Sequence, residues 1–317
     1  MINVGQIIGP WQINKIIDSN HDTIIAQVST YKIPYEDLCE YLDNETTWIM
    51  KLRPYNSYNN EVKKIIKYNL DTCKYAIKFP RNDYYFHGDI NIMQSQYEWF
   101  VMEEFSGDLL YNRYNITNYS ILTKNVMDFL KYLHHKYNVV HSDIKLRNVL
   151  MKNNIFRVCD YESISKVKND QIISEVTVDE EYHITYYYYS FGCEIGKSYL
   201  SYRYDFESYG YILWNLINKG MLKFQREAHK LYDSRCNKNE YNYLEKLRLE
   251  ENMPKIIKMY KEIISKIPWD LETPPDDKIY DEIIDLINNT NITDITDNDD
   301  ENDEDNSNKQ NDTDIEK

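Results

Sequence analysis

His141-Ser142-Asp143-Ile144-Lys145-Leu146-Arg147-Asn148 is the stretch on which the fold reading turns. It sets a carboxylate, a lysine two residues later and an asparagine five residues later behind a leading histidine. Singly these are ordinary residues: a loop aspartate is usually a turn residue and a lone lysine usually a solvated charge. Together they suit phosphoryl transfer, which demands positioning and charge neutralisation more than covalent chemistry. In that reaction Asp143 accepts or orients the proton of the attacking hydroxyl. Lys145 offsets charge on the transferred group, and Asn148 ligates a magnesium ion bridging the phosphates.

Working outward, the run Val158-Cys159-Asp160-Tyr161-Glu162 puts a carboxylate at a strand end, and Asp160 is the candidate second metal ligand. Upstream, Trp48-Ile49-Met50-Lys51 reads as a strand whose lysine would hold the α- and β-phosphates of ATP. Glu61 opens the next helix at a distance suited to an ion pair with Lys51. Lysine, helix glutamate, H-x-D loop with asparagine and metal aspartate thus occur in the order the chemistry needs.

The first hundred residues predict strands with one helix. Trp11–Ile17 and Thr23–Val28 should pair as a hairpin across a polar turn, with Thr47–Leu52, Tyr84–His87 and Trp99–Glu103 completing a five-stranded sheet. Tyr58–Tyr68 has helical spacing. From about Leu109 the pattern is helical, with apolar stripes at Leu122–Leu133, Phe206–Ile217, Ile256–Ile264 and Ile279–Ile287. The boundary between halves falls in Glu103–Asp108, which contains Ser106-Gly107.

The chain resembles the vaccinia-related kinase branch of the casein-kinase-I-like group over about residues 4–290. Val4-Gly5-Gln6-Ile7-Ile8 with Trp11 is similar to its entry segment. Met50-Lys51-Leu52-Arg53-Pro54 resembles its V-K-V-E-P strand end, and Phe100–Phe105 its hinge. Asp205-Phe206-Glu207-Ser208-Tyr209-Gly210-Tyr211 resembles the D-L-E-S-L-G-Y helix of the wider group. The resemblance implies a bilobal α+β protein kinase fold, with a β-rich N-lobe over residues 1–105 and a helical C-lobe over 106–290. It implies serine/threonine specificity, a protein substrate, ATP with Mg2+ or Mn2+, and Ile17, Ile25, Glu103 and Phe105 at the nucleotide. Asp205 is implied as a brace beneath the loop rather than a reactant.

Several positions depart from that pattern. No glycine occurs between Gly9 and Gly88, so the turn expected to cover the phosphates is Asp18-Ser19-Asn20-His21-Asp22-Thr23. Its two carboxylates should weaken nucleotide binding. Glu162 stands where the branch has the glycine of D-Y-G; it either adds a metal ligand or points outward, and the outward reading is preferred. Ile49 narrows the adenine pocket. Ser142 replaces the arginine of H-R-D, which removes the usual partner of an activation-loop phosphate. The alternative function is therefore a pseudokinase that binds or regulates without turnover. His134 and His135 read as residues of a helix C-terminus rather than metal ligands, and Tyr186–Tyr189 as packing rather than a docking surface.

Composition narrows the rest. The net charge of −15 is concentrated at the end: residues 291–317 carry 11 Asp/Glu and 2 Lys, leaving −6 for the remainder. That tail is expected to be disordered, as a solubilising segment or an arm for a basic partner protein. No Lys/Arg run with interleaved aromatics suggests nucleic acid. No stretch is apolar enough for a membrane span and the start lacks a signal-peptide pattern, so a soluble intracellular protein of cytoplasm or nucleus is expected. The five cysteines form no C-x-x-C pair. Abundant Tyr, Asn, Ile and Lys fit an AT-rich genome such as that of a large DNA virus.

Overall fold

The computed structural model describes residues 2–19, 23–31, 47–54, 61–80, 86–92, 95–167, 201–220, 222–230, 246–247, 252–268 and 271–290. The turn residues 20–22, the tetratyrosine 186–189 and the acidic tail 291–317 lie outside them.

The first half is an antiparallel sheet of six strands rather than the five expected, in the order β1-β2-β3-β4-β6-β5. The additional strand is β1 (Ile7–Ile8), a two-residue edge paired to β2 (Trp11–Ser19). Strand β3 (Ile24–Thr30) pairs β2 as the hairpin reading requires, with irregularities at Ile13/Lys15 and Ile16/Asp18. Strand β4 (Trp48–Pro54) lies between β3 and β6 (Ser95–Glu103). Helix α1 (Glu61–Lys67) follows β4, and its expected opening turn at 58–60 lies outside the described residues.

Strand β5 runs His87–Ile92, past the expected end at His87; Tyr84 and Tyr85 of the expected run lie outside the described residues. The expected run stops at His87 because Gly88 weakens strand propensity. A Cβ at Gly88 would lie 2.8 Å from the Trp99 ring, so the tryptophan occupies the space a side chain would need.

Strand β4 shows how the alternating pattern divides the core. Trp48, Met50 and Leu52 pack with Trp11, Trp99 and Val101 on the outer face. Ile49 belongs to the opposite cluster, which continues through Val62, Ile65 and Phe100 into the helical half. Side chains two apart share a face, so Lys51 and Arg53 follow Ile49 toward the cleft.

After Glu103 the chain leaves the large sheet and enters β7 (Gly107–Asp108), which pairs with β9 (Val149–Lys152); β10 (Ile155–Val158) completes a three-stranded sheet. Gly107 has φ +146°, and a Cβ there would meet Asn112 Nδ2 at 2.9 Å. Asp108 caps α2 (Leu109–Asn112) by accepting from Tyr111 N. Helix α3 (Tyr119–Tyr137) begins where Asn118 accepts from Ile121 N at 2.9 Å and ends at left-handed Asn138. A short pair, β8 (Val139–Val140) with β11 (Ser165–Lys166), brackets the motif loop.

Helices α4 (Tyr202–Ile217), α5 (Lys223–Lys230), α6 (Lys255–Ile264) and α7 (Asp277–Asn288) complete the described residues. The first of these is buried almost all round, so it is the central strut. Tyr209 and Leu213 of α4, Tyr260 of α6 and Ile283 of α7 join one core with Leu130 of α3. No helix among the described residues is long and apolar enough to cross a membrane.

Candidate active site

The loop from His141 to Asn148 is fixed by hydrogen bonds from both sides. Asp205, at the start of α4 and fully buried, accepts from His141 N and Ser142 N, each at 2.8 Å. Its Oδ2 also accepts from His134 Nε2 at 3.0 Å, and the other nitrogen of His134 accepts from Tyr280 OH at 2.6 Å. Burial lowers the His134 pKa despite Asp205, which keeps the ring neutral with its proton on Nε2. His134 is thus part of the brace, a role that its place near a helix end did not reveal. Ser142 takes φ 60°, and its Oγ donates to Ser163 O at 2.7 Å while Ser163 Oγ donates back to His141 O at 2.9 Å.

His141 points inward. Its Nε2 donates to Cys159 O at 3.2 Å, and its Nδ1 accepts from Asp143 N at 3.3 Å. Burial lowers its pKa, against the pull of Asp205 and Asp143. An aromatic contact joins it to Tyr161, ring centroids 6.2 Å apart, and Tyr161 also meets Phe79 at 6.3 Å and Phe129 at 6.0 Å. The Tyr161 hydroxyl donates to Val158 O at 2.6 Å and accepts from Ile77 N at 3.1 Å.

Asp143, Lys145 and Asn148 converge. Lys145 Nζ lies 2.9 Å from Asp143 Oδ2, and Asn148 Nδ2 donates to the same oxygen at 2.8 Å and to Asp143 O at 2.9 Å. Asp143 Oδ1 is buried and has no hydrogen-bond partner among the described residues.

A second group assembles across the cleft. Lys51 Nζ lies 2.8 Å from Glu61 Oε2 and 3.3 Å from Asp160 Oδ1. Burial lowers the Lys51 pKa, but Asp160 and Glu61 outweigh it and leave the amine above its ordinary value. Asp160 is partly buried, which favours its neutral form, yet Lys51, Arg53 and Lys145 hold its carboxyl well below the usual range. Asp160 sits in left-handed backbone at φ 64° just before the short turn Tyr161–Ser163, and Tyr161 N donates to Glu61 Oε1 at 3.2 Å.

Sequence reasoning missed the next cation. Arg53 Nη1 pairs with Glu162 Oε2 and lies 3.7 Å from Glu61 Oε2, while Arg53 Nη2 lies 3.6 Å from Asp160 Oδ1. Glu162 therefore turns inward, contrary to the outward reading, because Arg53 and a hydrogen bond from Lys64 Nζ to Glu162 O hold it. Glu61, Asp160 and Glu162 have carboxylate oxygens within 4.8 Å of one another. The detectable signal was the strand period, since Arg53 shares the face of Lys51.

The expected nucleotide residues are more scattered. Ile25 stands opposite Lys51 in the sheet and packs on the main core, as does Phe105. Ile17 is 49% exposed beside the β2 irregularity. Glu103 ends β6, its amide donating to Lys78 O at 2.9 Å and its carboxylate 3.8 Å from Lys152 Nζ. Ile49 is buried in the core face of β4.

Compared with protein families, residues 89–296 match the protein kinase domain. The chain belongs to that family. The kinase is also similar in fold to a solved structure titled "Structure of vaccinia related kinase 3", with a TM-score of 0.61 at 10% identity. That alignment covers 90% of this chain and 91% of the other. No curated protein matches the kinase in sequence. Its first strands and α1 precede the matched segment, so the pairing of Lys51 with Glu61 rests on geometry rather than on the family match.

Proposed function

We propose that this kinase transfers the γ-phosphate of ATP to serine or threonine hydroxyls of protein substrates, with Asp143 as the base. The observation that carries the reading is the simultaneous assembly of Lys51–Glu61–Asp160 on one side of the cleft and Asp143–Lys145–Asn148 on the other. A binding module without turnover has no need to keep two buried charge clusters in register. Desolvating such groups is costly, and an apolar replacement would be as stable or better.

The donor set suits magnesium. Asp160 and Asn148 offer hard oxygens, and the low pKa of Asp160 keeps it ionised. Asp160 and Asn148 would hold the metal, which would supply positive charge to offset what develops on the transferred phosphoryl group. The side chains do the rest. Lys51, held by Glu61, is the cation for the α- and β-phosphates. Asn148 fixes Asp143 through Nδ2, leaving its own oxygen for the metal, and the unpartnered Asp143 Oδ1 is where an acceptor hydroxyl would donate. Lys145 beside Asp143 offsets charge on the phosphoryl group. The resemblance that includes this lysine supports serine and threonine over tyrosine.

The test is phosphate transfer from labelled ATP, with Mg2+ or Mn2+, to a panel of generic protein acceptors beside the Asp143→Asn variant. Transfer that the variant loses, with phosphoserine or phosphothreonine as product, is the expected result. A protein that neither transfers phosphate nor gains thermal stability with ATP would overturn the proposal and leave the pseudokinase reading.

A further inference from the structure

Two departures from the related sequence pattern fall on residues that meet in space. Where the related strand end reads V-K-V-E-P this chain has Arg53 in place of glutamate, and where the related metal segment reads D-Y-G it has Glu162 in place of glycine. A reversal of sign on β4 is thus matched by a new acid 109 residues away, and the two side chains form an ion pair. Glycine would leave the backbone after Asp160 free to move. Glu162 instead has its side chain held by Arg53 and its carbonyl by Lys64.

We propose that Arg53 and Glu162 are positioning residues that latch the metal-carrying segment Asp160–Glu162 to β4 and α1, so that the site is assembled before any activating event; the role in catalysis rests on the phosphotransfer reading above. The electrostatics make the two residues interdependent. Without Glu162, the carboxylates left within 4 Å of Arg53 among the described residues are Glu61 and Asp160, at 3.7 and 3.6 Å, and Arg53 competes for the metal ligand. Without Arg53, Glu162 is left as a third carboxylate beside Glu61 and Asp160. The side chains of Arg53 and Glu162 are only 17% and 24% exposed, so solvent screens these effects weakly. Neutralising both residues together removes the competition as well as the latch, and the two losses should not add.

The experiment compares Arg53→Gln, Glu162→Gln and the double variant in the full chain. Amide hydrogen exchange over residues 160–163 and 61–67 is measured without nucleotide, and kcat and KM for ATP are measured on a generic acceptor. Each single variant should raise exchange over 160–163 and lower kcat by about tenfold, while KM for ATP changes less than about twofold. The double variant should be no worse than the worse single one. Wild-type exchange in both single variants, or a double variant whose effect is the product of the singles, would overturn the latch. Exchange needs no turnover, which separates the two proposals. Coupled exchange in a protein that phosphorylates nothing keeps the latch and removes the functional reading; uncoupled exchange in an active kinase does the reverse. Should Glu162→Gln fail to fold, Glu162→Asp shortens the reach by one methylene and should give an intermediate rise, a wild-type profile there overturning the latch.

Discussion

Asp205 Oδ1 accepts the amide hydrogen of Ser142 at 2.8 Å, across 63 residues of sequence. With His141 N and His134 Nε2 on Oδ2, the carboxylate has three donors and no exposure to solvent. Replacing it with Asn presents an amide group to donors that need a second acceptor. Asp205→Asn should lower stability by about 2–4 kcal/mol and reduce turnover further by loosening the loop. Urea unfolding with a phosphate-transfer assay checks this, and an unchanged midpoint would argue against the brace.

The Lys51–Glu61 pair is buried, so breaking it is expensive even though making it contributes little stability. Glu61→Gln leaves Lys51 with Asp160 at 3.3 Å as its remaining carboxylate. The expected loss is about 3 kcal/mol, at the lower end for such pairs because Asp160 stays. Lys51 would also lose its aim at the phosphates, and kcat/KM for ATP should fall by about a hundredfold. Steady-state kinetics at varied ATP read the second effect, and denaturant titration reads the first.

Glu98, opposite Arg53 in the sheet, predicts a pH dependence at the edge of the site. Burial, and then the cross-strand Asp89, raise its pKa from 4.5 to about 7. The carboxyl thus holds its proton more tightly in the folded chain than in the unfolded one. Its contribution is present below the unfolded pKa and is lost as pH rises from about 4.5 through about 7. After discounting for partial solvent exposure the loss is on the order of 1 kcal/mol. Glu98→Gln should melt at a higher temperature than wild type at pH 8, with the gap closing toward pH 4.5. An equal gap at both values would show that Glu98 does not titrate in this window.

Ile49 is 8% exposed on the face of β4 that carries Lys51. Truncation to Ala should cost about 2–4 kcal/mol through the lost contacts and the cavity left behind. If Ile49 also narrows the adenine pocket, the same change lowers the KM for ATP. Thermal unfolding and nucleotide titration of one variant separate the two effects, and an unchanged KM would place Ile49 in packing alone.

Much of this was legible along the chain because local pattern and local chemistry agree. The 2–3 hairpin, β4, α3 and α4 follow from alternation or helical stripes, and the loop from His141 to Asn148 announces its own chemistry. The edge strand β1 was too short to show a period. The run of strand β5 past His87 was not legible because Gly88 weakens strand propensity, and the Trp99 ring that fills the space above it is brought there only by the fold. Arg53–Glu162 and His134–Asp205 were not legible, since each joins residues brought together only by tertiary packing, 109 and 71 positions apart. Charge at Arg53 and Glu162 could be read from the sequence, but their pairing could not.

One apolar cluster runs without interruption from Ile49 and Val62 under the large sheet to Phe206 and Ile287 among the helices. A cut in the crossing between Glu103 and Gly107 would leave a wet, sticky face on each piece. Neither piece should be recoverable by itself as a well-behaved polypeptide. Two co-expressed fragments split there are expected to rejoin and regain the parent's melting profile, behaving as complementing parts of one folding unit rather than as modules that could be exchanged between proteins.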